Sequence, residues 1–520
     1  MKKIINAIVQ ECISPFTKVK DTSNEILLYT NETVVSYDKA TCQITIGDEV
    51  MTDPLNFLEW CGAQSEYNYN DFIKEIENHL INQALSFIHC AQVEKSHHPL
   101  LTGEQWVVTG HNIHPCAKTK LGMSFEEVMR YAPEYNQVFE LNWILVKKTL
   151  LFNNLETIYI NQLKAFSGYD KPIDEKYTLI PVHPFQYQHV LNDVYQEEIA
   201  TGDIVMLDYK GGVVKSTSSF RTVCPLDSNY PIIKLPVHAQ MTSTVRSISN
   251  NSVINSKKIS DYIEGVYNND IDLKKVSTPI MEYGGMTYPH DDERKQRNLS
   301  FILRENSTQK FKQFDKVYTA TCLCERDETG QKIYQQLIAH SQMSQDKWFE
   351  KYATLLIDTA VPLMTKYGIG LEAHMQNISI AFCSGIPTHI YYRDFGGLRI
   401  DVSRTHGKLQ LKQGLTHAST VEMHEKLLNT LLANHLETLI VHFSEDYQLS
   451  STHLWAIVAS AIDKIFATFE EDIPWFEQDC ERFKSPYLKQ KALMTMRLST
   501  SNKDIYIEKE NPLYASFVKQ

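Results

Sequence analysis

The chain has 520 residues, 43% of them hydrophobic and 22% charged, and its formal net charge at pH 7 is −12. A chain of this length usually divides its hydrophobic material among several cores, so we expect roughly two to four domains. The negative charge argues against a general nucleic-acid-binding protein, because such proteins neutralise phosphates with an excess of Lys and Arg. A strongly anionic small substrate would need a local cluster of cationic side chains.

The N-terminal segment has only a faint likeness to a signal peptide. Its apolar run is interrupted by Asn6, Gln10 and Glu11, and the remaining apolar residues recur at the spacing of one helix face. No apolar run in the sequence has the length that a membrane-spanning helix needs. We therefore expect a cytoplasmic protein that has neither a membrane nor a nucleic acid as its partner.

Hydrophobic patterns divide the chain into three parts and predict an α+β fold class. Residues 1–100 alternate short strands with helices, and the longest helix is predicted over Tyr69–Ala91. Residues 101–320 mix strands with helices, separated by Gly, Pro, Asn and Asp. Residues 321–520 are predominantly helical. These three parts are the predicted domains.

Several elements of the second and third parts are predicted individually. A mainly helical stretch is expected over Glu126–Asn154, with a break near Pro133. The predicted strands of the second part are Thr178–Val182, Ile204–Leu207, Ser219–Val223, Ile232–Val237 and Phe301–Leu303. The predicted helices of the third part are Gln345–Tyr367, Val421–Phe443, His453–Phe469 and Pro486–Leu498.

A predicted hairpin interrupts the helical third part. Its strands, Ile378–Phe382 and Thr388–Tyr392, are apolar and partly β-branched, and they flank a Ser-Gly-Ile-Pro turn. Pairing about that turn would place Phe382 near His389.

The open end of this hairpin collects oxygen-bearing side chains. The same count along the strands places Asn377 near Asp394, and Glu372 lies shortly before the first strand. Carboxylate and amide oxygens are hard ligands that suit Mg²⁺, which usually bridges to the phosphates of a substrate. A magnesium nucleotide is the simplest occupant of such a site.

Two segments of the second part combine hydroxyl groups with cationic side chains. Residues 216–222 end in Ser-Phe-Arg-Thr, and residues 234–246 begin with Lys and end in Thr-Val-Arg. Hydroxyl and guanidinium groups are donors to phosphate or carboxylate oxygens. An Arg after Ser or Thr is most often an ordinary surface residue, but Arg221, Lys234 and Arg246 on adjacent strands would form a strongly positive groove.

A third cationic segment, residues 110–122, holds His111, His114, Lys118 and Lys120 around a Gly and a Pro. Two imidazoles three residues apart could bind a metal, but no third ligand is local. The two Lys favour an anion instead, and a solvated polar loop is the alternative.

Common nucleotide-binding and hydrolase motifs are absent from the sequence. It contains no Walker Gly-x-x-x-x-Gly-Lys, no Rossmann glycine fingerprint and no nucleophile elbow. The Asn before one hairpin strand and the Arg-Asp-Phe-Gly after the other are similar to the magnesium-binding parts of kinases. The Gly-rich loop and the Lys-bearing strand of kinases are not evident.

Taken together, these segments resemble the IucA/IucC family, the NRPS-independent siderophore (NIS) synthetases. The family pattern runs His-Pro-x-His-Pro, His-Pro-Trp-Gln, Ser-x-Arg-Thr, Lys-Leu followed by Thr-Ser-x-x-Arg, Glu-x-His-x-Gln-Asn and Arg-Asp. The chain carries these motifs in that order between residues 110 and 394. Asn112 replaces the first Pro, Lys120 replaces an Arg, and Phe185 replaces the Trp.

The resemblance implies a ligase that uses ATP and Mg²⁺ to condense citrate, or a citryl intermediate, with an amine. An acyl-adenylate forms in such enzymes, and AMP and pyrophosphate leave. The family fold is a cupped hand, which implies a thumb over residues 1–100, fingers with an antiparallel sheet over 101–320 and a mainly helical palm over 321–520. A homodimer is also implied. By resemblance, the amine could be a diamine, a hydroxylated diamine, ornithine, lysine, 2,3-diaminopropionate or ethanolamine. The Lys-, Asn- and Ile-rich composition suggests a low-GC genome, which together with the resemblance favours a staphyloferrin-type pathway and so ornithine or 2,3-diaminopropionate.

The resemblance also implies residue roles. The phosphates of ATP would be held by Ser219, Arg221, Lys234, Thr242 and Arg246, and ATP or the acid would be contacted by His374, Gln376 and Asp394. Mg²⁺ would be held by Glu372, Asn377 and Asp394, and the predicted catalytic residues are His374, Arg246, His111, His114, Lys118 and Lys120. Two alternatives remain: a kinase-like phosphotransferase, and a nucleotide- or metabolite-binding regulator without catalysis.

Overall fold

The computed structural model describes residues 1–90, 93–242, 244–414, 416–469, 473–499 and 505–518. Helices and sheets are mixed along this part of the chain, so the predicted α+β class is confirmed in its coarse form. Three large apolar cores organise the molecule, one near the N-terminus, one around an eight-stranded sheet and one among the C-terminal helices.

The N-terminal part is a meander sheet covered by helices. Its antiparallel strands are Lys18–Asp21, Glu25–Tyr29, Val34–Asp38, Ile44–Ile46 and Glu49–Met51. The helices are Lys2–Glu11, Pro54–Ala63 and Asn70–Cys90. Met494 and Leu498 from the far end of the chain pack into the same core. The N-terminal and C-terminal regions are therefore joined by a shared hydrophobic interior.

The second part contains an eight-stranded antiparallel sheet. In spatial order its strands are Phe152–Asn153, Glu282–Thr287, Ser300–Arg304, Ile232–Lys234, Thr222–Pro225, Ile204–Ser216, Phe139–Lys147 and Tyr177–Val182. The predicted helix over Glu126–Asn154 is wrong for most of its length. A helix covers only Phe125–Tyr131, where Ser124 and Glu127 form a capping box. Beyond it, Phe139–Lys147 is buried on both faces of the sheet and forms a strand.

A small three-stranded sheet lies beside the large one and carries two of the predicted motifs. It pairs Lys120–Leu121 with Val237–Met241, and that strand with Thr244–Arg246. The predicted single strand Ile232–Val237 is therefore divided between the two sheets. This division places Lys234 in the large sheet and Arg246 in the small one.

The C-terminal part builds on a four-stranded sheet backed by helices. Its strands are Ser277–Pro279, Ile386–Tyr392, Ile378–Cys383 and Lys316–Thr319. The main helical segments are Asn250–Asn269, Gln345–Tyr367, Thr420–Leu428, Asn429–Leu436, Glu437–Tyr447 and Ser451–Phe466. The predicted helix Pro486–Leu498 is wrong, because Tyr487–Lys491 pairs with Tyr506–Glu510 and only Thr495–Leu498 is helical.

A buried ion cluster ties the C-terminal helices together. Arg404 donates from Nη1 and Nη2 to the two carboxylate oxygens of Asp479, at 2.7 and 3.0 Å, and His424 Nε2 lies 2.6 Å from Asp479 Oδ1. Asp401 approaches the Nε of the same guanidinium at 3.3 Å. Burial raises the pKa of Asp479, but the bonds from His424 and Arg404 outweigh burial and hold this pKa below its usual value.

Candidate functional site

A cavity of about 410 Å³, here called the main cavity, separates two walls that the sequence places far apart. One wall comes from the large sheet and the small sheet beside it, and the other is the open end of the hairpin. The predicted residues that line it are Ser219, Arg221, Lys234, Arg246, Glu372, His374, Gln376, Asn377 and Asp394. The structure thus brings together two groups of residues that were predicted separately.

Ser219 and Arg221 lie in a tight turn that precedes the strand Thr222–Pro225, rather than in a strand as predicted. Phe220 has a left-handed backbone, with φ of 67°, and buries its ring. Ser219 Oγ accepts the Thr222 N–H at 3.2 Å, which closes the turn. The turn leaves the side chains of Ser219 and Arg221 on the wall of the main cavity.

Cationic side chains are crowded on this wall. The Arg221 guanidinium donates to the Ser247 carbonyl, and burial together with the nearby Arg246 lowers the pKa of Arg221 to about 10. Arg304, which sequence reasoning missed, lines the same cavity. Like charges held this close together are costly unless an anion compensates for them.

Arg246 ends the short strand Thr244–Arg246, and its Nη2 donates to Thr242 Oγ1 at 3.0 Å. Its Nε is buried and has no hydrogen-bond partner among the described residues. A buried donor that lacks an acceptor is unfavourable, so this N–H is suited to an incoming anionic oxygen.

The hairpin wall differs slightly from its predicted register. Ala381, rather than Phe382, lies opposite His389, because the turn is shorter than predicted and Cys383 pairs with Ile386. A bulge after Ala381 then shifts the remaining pairs by one residue. The Arg393 backbone N–H donates to the Asn377 carbonyl, so Asn377 still lies at the same end of the hairpin as Asp394.

The Asp394 side chain extends from the hairpin wall and contacts cationic residues of the opposite wall. Its carboxylate forms an ion pair with Lys234, and Arg304 Nη2 lies 3.8 Å from Asp394 Oδ1. Burial raises the pKa of Asp394, but the charges of Lys234 and Arg304 outweigh burial and hold this pKa far below its usual value. A residue predicted to bind phosphate and a residue predicted to bind metal are therefore bound to each other.

Glu372 is held by three neighbours. Lys426 Nζ donates to its Oε1 at 2.8 Å, Asn377 Nδ2 donates to its Oε2 at 3.2 Å, and His374 Nε2 lies 3.8 Å from Oε2. A Cβ on Gly397 would lie 1.8 Å from Oε2, so a larger residue there would force this carboxylate to move. Burial raises the pKa of Glu372, but Lys426 outweighs burial and brings the value to about 2.

These oxygen donors meet the basic requirement for a hard cation. No group of three or more His, Cys, Asp or Glu side chains in the described ranges is arranged to hold a metal ion. Glu372, Asn377 and Asp394 nevertheless line one cavity, and carboxylate and amide oxygens are ligands that Mg²⁺ accepts. Lys426 and Lys234 neutralise the two carboxylates in the structure.

A second, smaller pocket of about 100 Å³ adjoins the main cavity through Ser219, Arg246, His374 and Gln376, which line both. We call it the inner pocket. Its wall also holds four further predicted site residues, namely His111, Lys118, Lys120 and Thr242. Burial lowers the pKa of His374 below its usual value, so this imidazole is neutral near pH 7.

Glu134 anchors the lysines of the histidine-containing loop and was not found from the sequence. Lys118 Nζ lies 2.6 Å and Lys120 Nζ 3.8 Å from Glu134 Oε1, and all three side chains are buried. Burial raises the pKa of Glu134, but the two lysines outweigh burial and bring it to about 2. The lysines keep their places at the inner pocket because this carboxylate compensates for their charge.

His114 lies outside both cavities. It is 2% exposed, and its Nδ1 accepts the Cys116 N–H at 2.9 Å. Burial lowers its pKa to about 3, so the ring is neutral. In the structure His114 contacts its own loop and lines neither the main cavity nor the inner pocket.

Glu104 joins the two walls and was also missed by sequence reasoning. It forms a bidentate ion pair with Arg393 and accepts the Ser218 N–H at 2.8 Å. Arg393 in turn donates to the Gln376 carbonyl at 2.9 Å. The turn on one wall and the hairpin on the other are therefore held in a fixed relation.

Two family models match the chain. Residues 99–325 match the IucA / IucC family, and residues 346–505 match the ferric iron reductase FhuF-like transporter family. Two proteins of Staphylococcus aureus, Staphyloferrin A synthase and D-ornithine--citrate ligase, are each 28% identical to this chain over the aligned residues. The first match covers 80% of this chain and 73% of that protein, and the second 83% and 73%.

Solved structures share the fold across almost the whole chain. The petrobactin biosynthesis protein AsbB from Bacillus anthracis str. Sterne has a TM-score of 0.84 at 19% identity, covering 99% of this chain and 95% of that one. ATP-bound aerobactin synthetase IucA from a hypervirulent pathotype of Klebsiella pneumoniae has a TM-score of 0.82 at 17% identity, covering 98% of each.

The similar proteins are named as ligases and synthases, which supports a ligase as the class of this protein. The family match over residues 99–325 and the named relatives confirm the resemblance to the IucA/IucC family of NIS synthetases that the motifs predicted. No helix in the described ranges is both long and apolar enough to cross a membrane.

Proposed function

We propose that this protein is an ATP-dependent siderophore synthetase that condenses citrate, or a citryl intermediate, with an amine through an acyl-adenylate. The observation that carries the proposal is the main cavity, in which a cationic wall faces a wall of carboxylate and amide oxygens. The buried Nε of Arg246, which lacks a hydrogen-bond partner in the described part of the chain, supports an anionic ligand at this wall.

The charges of the two walls suit the electrostatic problem of this reaction. A polycarboxylate and a triphosphate repel each other, so their approach requires fixed positive charge. Arg221, Lys234, Arg246 and Arg304 lie around the main cavity and would neutralise the phosphates. Lys118 and Lys120 at the inner pocket would do the same for the acid.

The proposed chemistry has two steps. A carboxylate oxygen of the acid attacks the α-phosphorus of ATP, and the bond to the pyrophosphate oxygen breaks. The amine nitrogen then attacks the acyl carbon, the bond to the AMP oxygen breaks, and the nitrogen loses a proton. The neutral His374 lines both cavities and is our candidate to accept that proton.

Mg²⁺ would be held by Glu372, Asn377 and Asp394. When bound, it would neutralise phosphate charge and so favour departure of pyrophosphate. The proposal further includes the cupped-hand division into a thumb (1–100), fingers (101–320) and palm (321–520), a homodimer and a cytoplasmic location. The names of similar proteins favour ornithine or 2,3-diaminopropionate as the amine.

Product analysis tests the reaction class. With ATP, Mg²⁺, citrate and hydroxylamine, the protein is expected to release AMP and pyrophosphate and to form a citrate hydroxamate. Release of ADP would instead support the kinase-like alternative. A protein that binds ATP but yields neither product would support the regulator without catalysis.

The variant Asp394→Asn tests the metal assignment. The magnesium concentration that gives half-maximal pyrophosphate release is expected to rise about 10- to 100-fold, because an amide oxygen replaces a charged ligand. Titration of Mg²⁺ at saturating ATP measures this value. Asp463→Asn is the control, since Asp463 pairs with Lys484 away from the main cavity. A magnesium dependence equal to that of the unaltered protein would contradict the assignment.

A further inference from the structure

A third and larger cavity of about 1100 Å³, here called the outer cavity, lies behind the histidine-containing loop. The helix Lys2–Glu11 and the helix Glu437–Tyr447 form part of its wall. Asn112 lines both the outer cavity and the inner pocket. The outer cavity therefore adjoins the pocket at which the proposed acyl transfer would occur, and it is not needed to hold the nucleotide.

Glu325 is the unusual residue of this cavity. It is 4% exposed, and its Oε1 accepts the Thr109 N–H and the Thr109 hydroxyl at 2.8 and 2.7 Å. Within the described ranges no cation lies at ion-pair distance from its carboxylate. Burial raises its pKa to about 7, although the bonds from Thr109 and the charges of Lys118 and Lys3 beyond ion-pair distance act to lower it.

Several cations on the cavity wall are already engaged with other groups. Lys2 pairs with Glu445 at 2.6 Å, and Lys332 pairs with Asp446 at 2.8 Å. Lys3 donates to the His111 carbonyl at 2.7 Å. Glu325 thus combines burial, a place on the cavity wall and the absence of a paired cation, and together these features point to a cationic ligand.

We propose that the outer cavity binds the acceptor amine and that Glu325 recognises an ammonium group of it. This inference rests on the proposed function. The attacking nitrogen must be neutral and must reach the inner pocket, so the ammonium at Glu325 belongs to a second nitrogen. The substrate class is therefore a diamine or a diamino acid. A volume of about 1100 Å³ also leaves room for a larger, already acylated acceptor.

Calorimetric titration with L-ornithine and with 1,4-diaminobutane tests this site without requiring turnover. Glu325→Gln keeps the shape of the side chain and its bonds to Thr109 but removes the charge. We expect Kd for both amines to rise about ten- to hundredfold, the usual range for losing a hydrogen bond to a charged group. Glu328→Gln, at an exposed position on the same cavity wall, is the matched control and should leave Kd unchanged.

The Kd values of the variants and the formation of citrate hydroxamate test the amine site and the proposed function separately. Equal Kd values for Glu325→Gln and the unaltered protein would overturn the inference. The same holds if Thr109→Val weakens binding as much, because Glu325 would then only hold the loop in place. Citrate hydroxamate formation reports separately on the proposed function, because hydroxylamine needs no ammonium site. Absence of hydroxamate with the unaltered protein would contradict the proposed function, whereas equal Kd values would contradict the amine site.

Discussion

Arg246→Ala is expected to lower kcat/KM for citrate-dependent pyrophosphate release about 100- to 1000-fold, the range found when one preorganised donor to a developing charge is removed. The side chain contributes to both the main cavity and the inner pocket, and its Nε has no acceptor among the described residues. Its removal relieves the repulsion with Arg221, so the protein should unfold at an unchanged or higher temperature.

Two companion variants make this result specific. Arg294→Ala removes an Arg that is 55% exposed and paired with Asp193, and it should leave activity unchanged. Arg246→Lys keeps the charge but loses the planar donor set, so partial activity is expected. Steady-state kinetics and thermal unfolding measure both properties. Full activity in Arg246→Ala would show that the phosphate assignment is wrong.

Asp479→Ala is expected to lower the free energy of unfolding by about 3–5 kcal/mol, the usual cost of removing one partner of a buried ion pair. Arg404 is 2% exposed, and in this variant it would lose both of its bonds to Asp479. His424 would lose the same partner. The Asp401 contact at 3.3 Å and the Trp475 ring, whose centroid lies 4.9 Å from the guanidinium carbon, would remain, and they compensate for only part of the buried charge.

Urea unfolding with a linear extrapolation measures this loss. Asp463→Ala is the control, because the ion pair of Asp463 with Lys484 is partly exposed and its loss should cost at most about 1 kcal/mol.

The free energy of unfolding should also depend on pH through the same buried ion cluster. The pKa of Asp479 is lowered in the folded protein, so its contribution to stability is complete above the ordinary Asp pKa and is lost as the pH falls below it. A change under 1 kcal/mol for Asp479→Ala would contradict the structural role of the cluster.

Elements with a clear local signal were predicted well. The helix Gln345–Tyr367 begins after Ser344 and ends at Gly368, as its capping signals indicate. The first hairpin strand lies where its apolar run placed it, but the second begins at Ile386, inside the predicted turn. The error at Phe382 arose because Ile386 and Pro387 pair as strand residues, and the bulge after Ala381 offsets only part of that shift.

The wrong predictions share a physical cause. Phe139–Lys147 is buried on both faces, so it lacks the alternation that marks a strand with one exposed face. Tyr487–Lys491 becomes a strand only because Tyr506–Glu510 pairs with it. In both cases the choice between helix and strand depends on a distant partner, which local periodicity does not reveal.

The sequence by itself indicated the resemblance to the IucA/IucC family, the coarse fold class and most of the residues proposed for the candidate site, because these follow from ordered motifs and local chemistry. Only the tertiary structure decided which of those residues meet. It pairs Lys234 with Asp394, anchors Lys118 to Glu134 and binds Glu372 to Lys426. It also leaves His114 outside the main cavity and the inner pocket. These outcomes depend on how separate segments pack against one another, and the spacing of residues within any one segment does not record that packing.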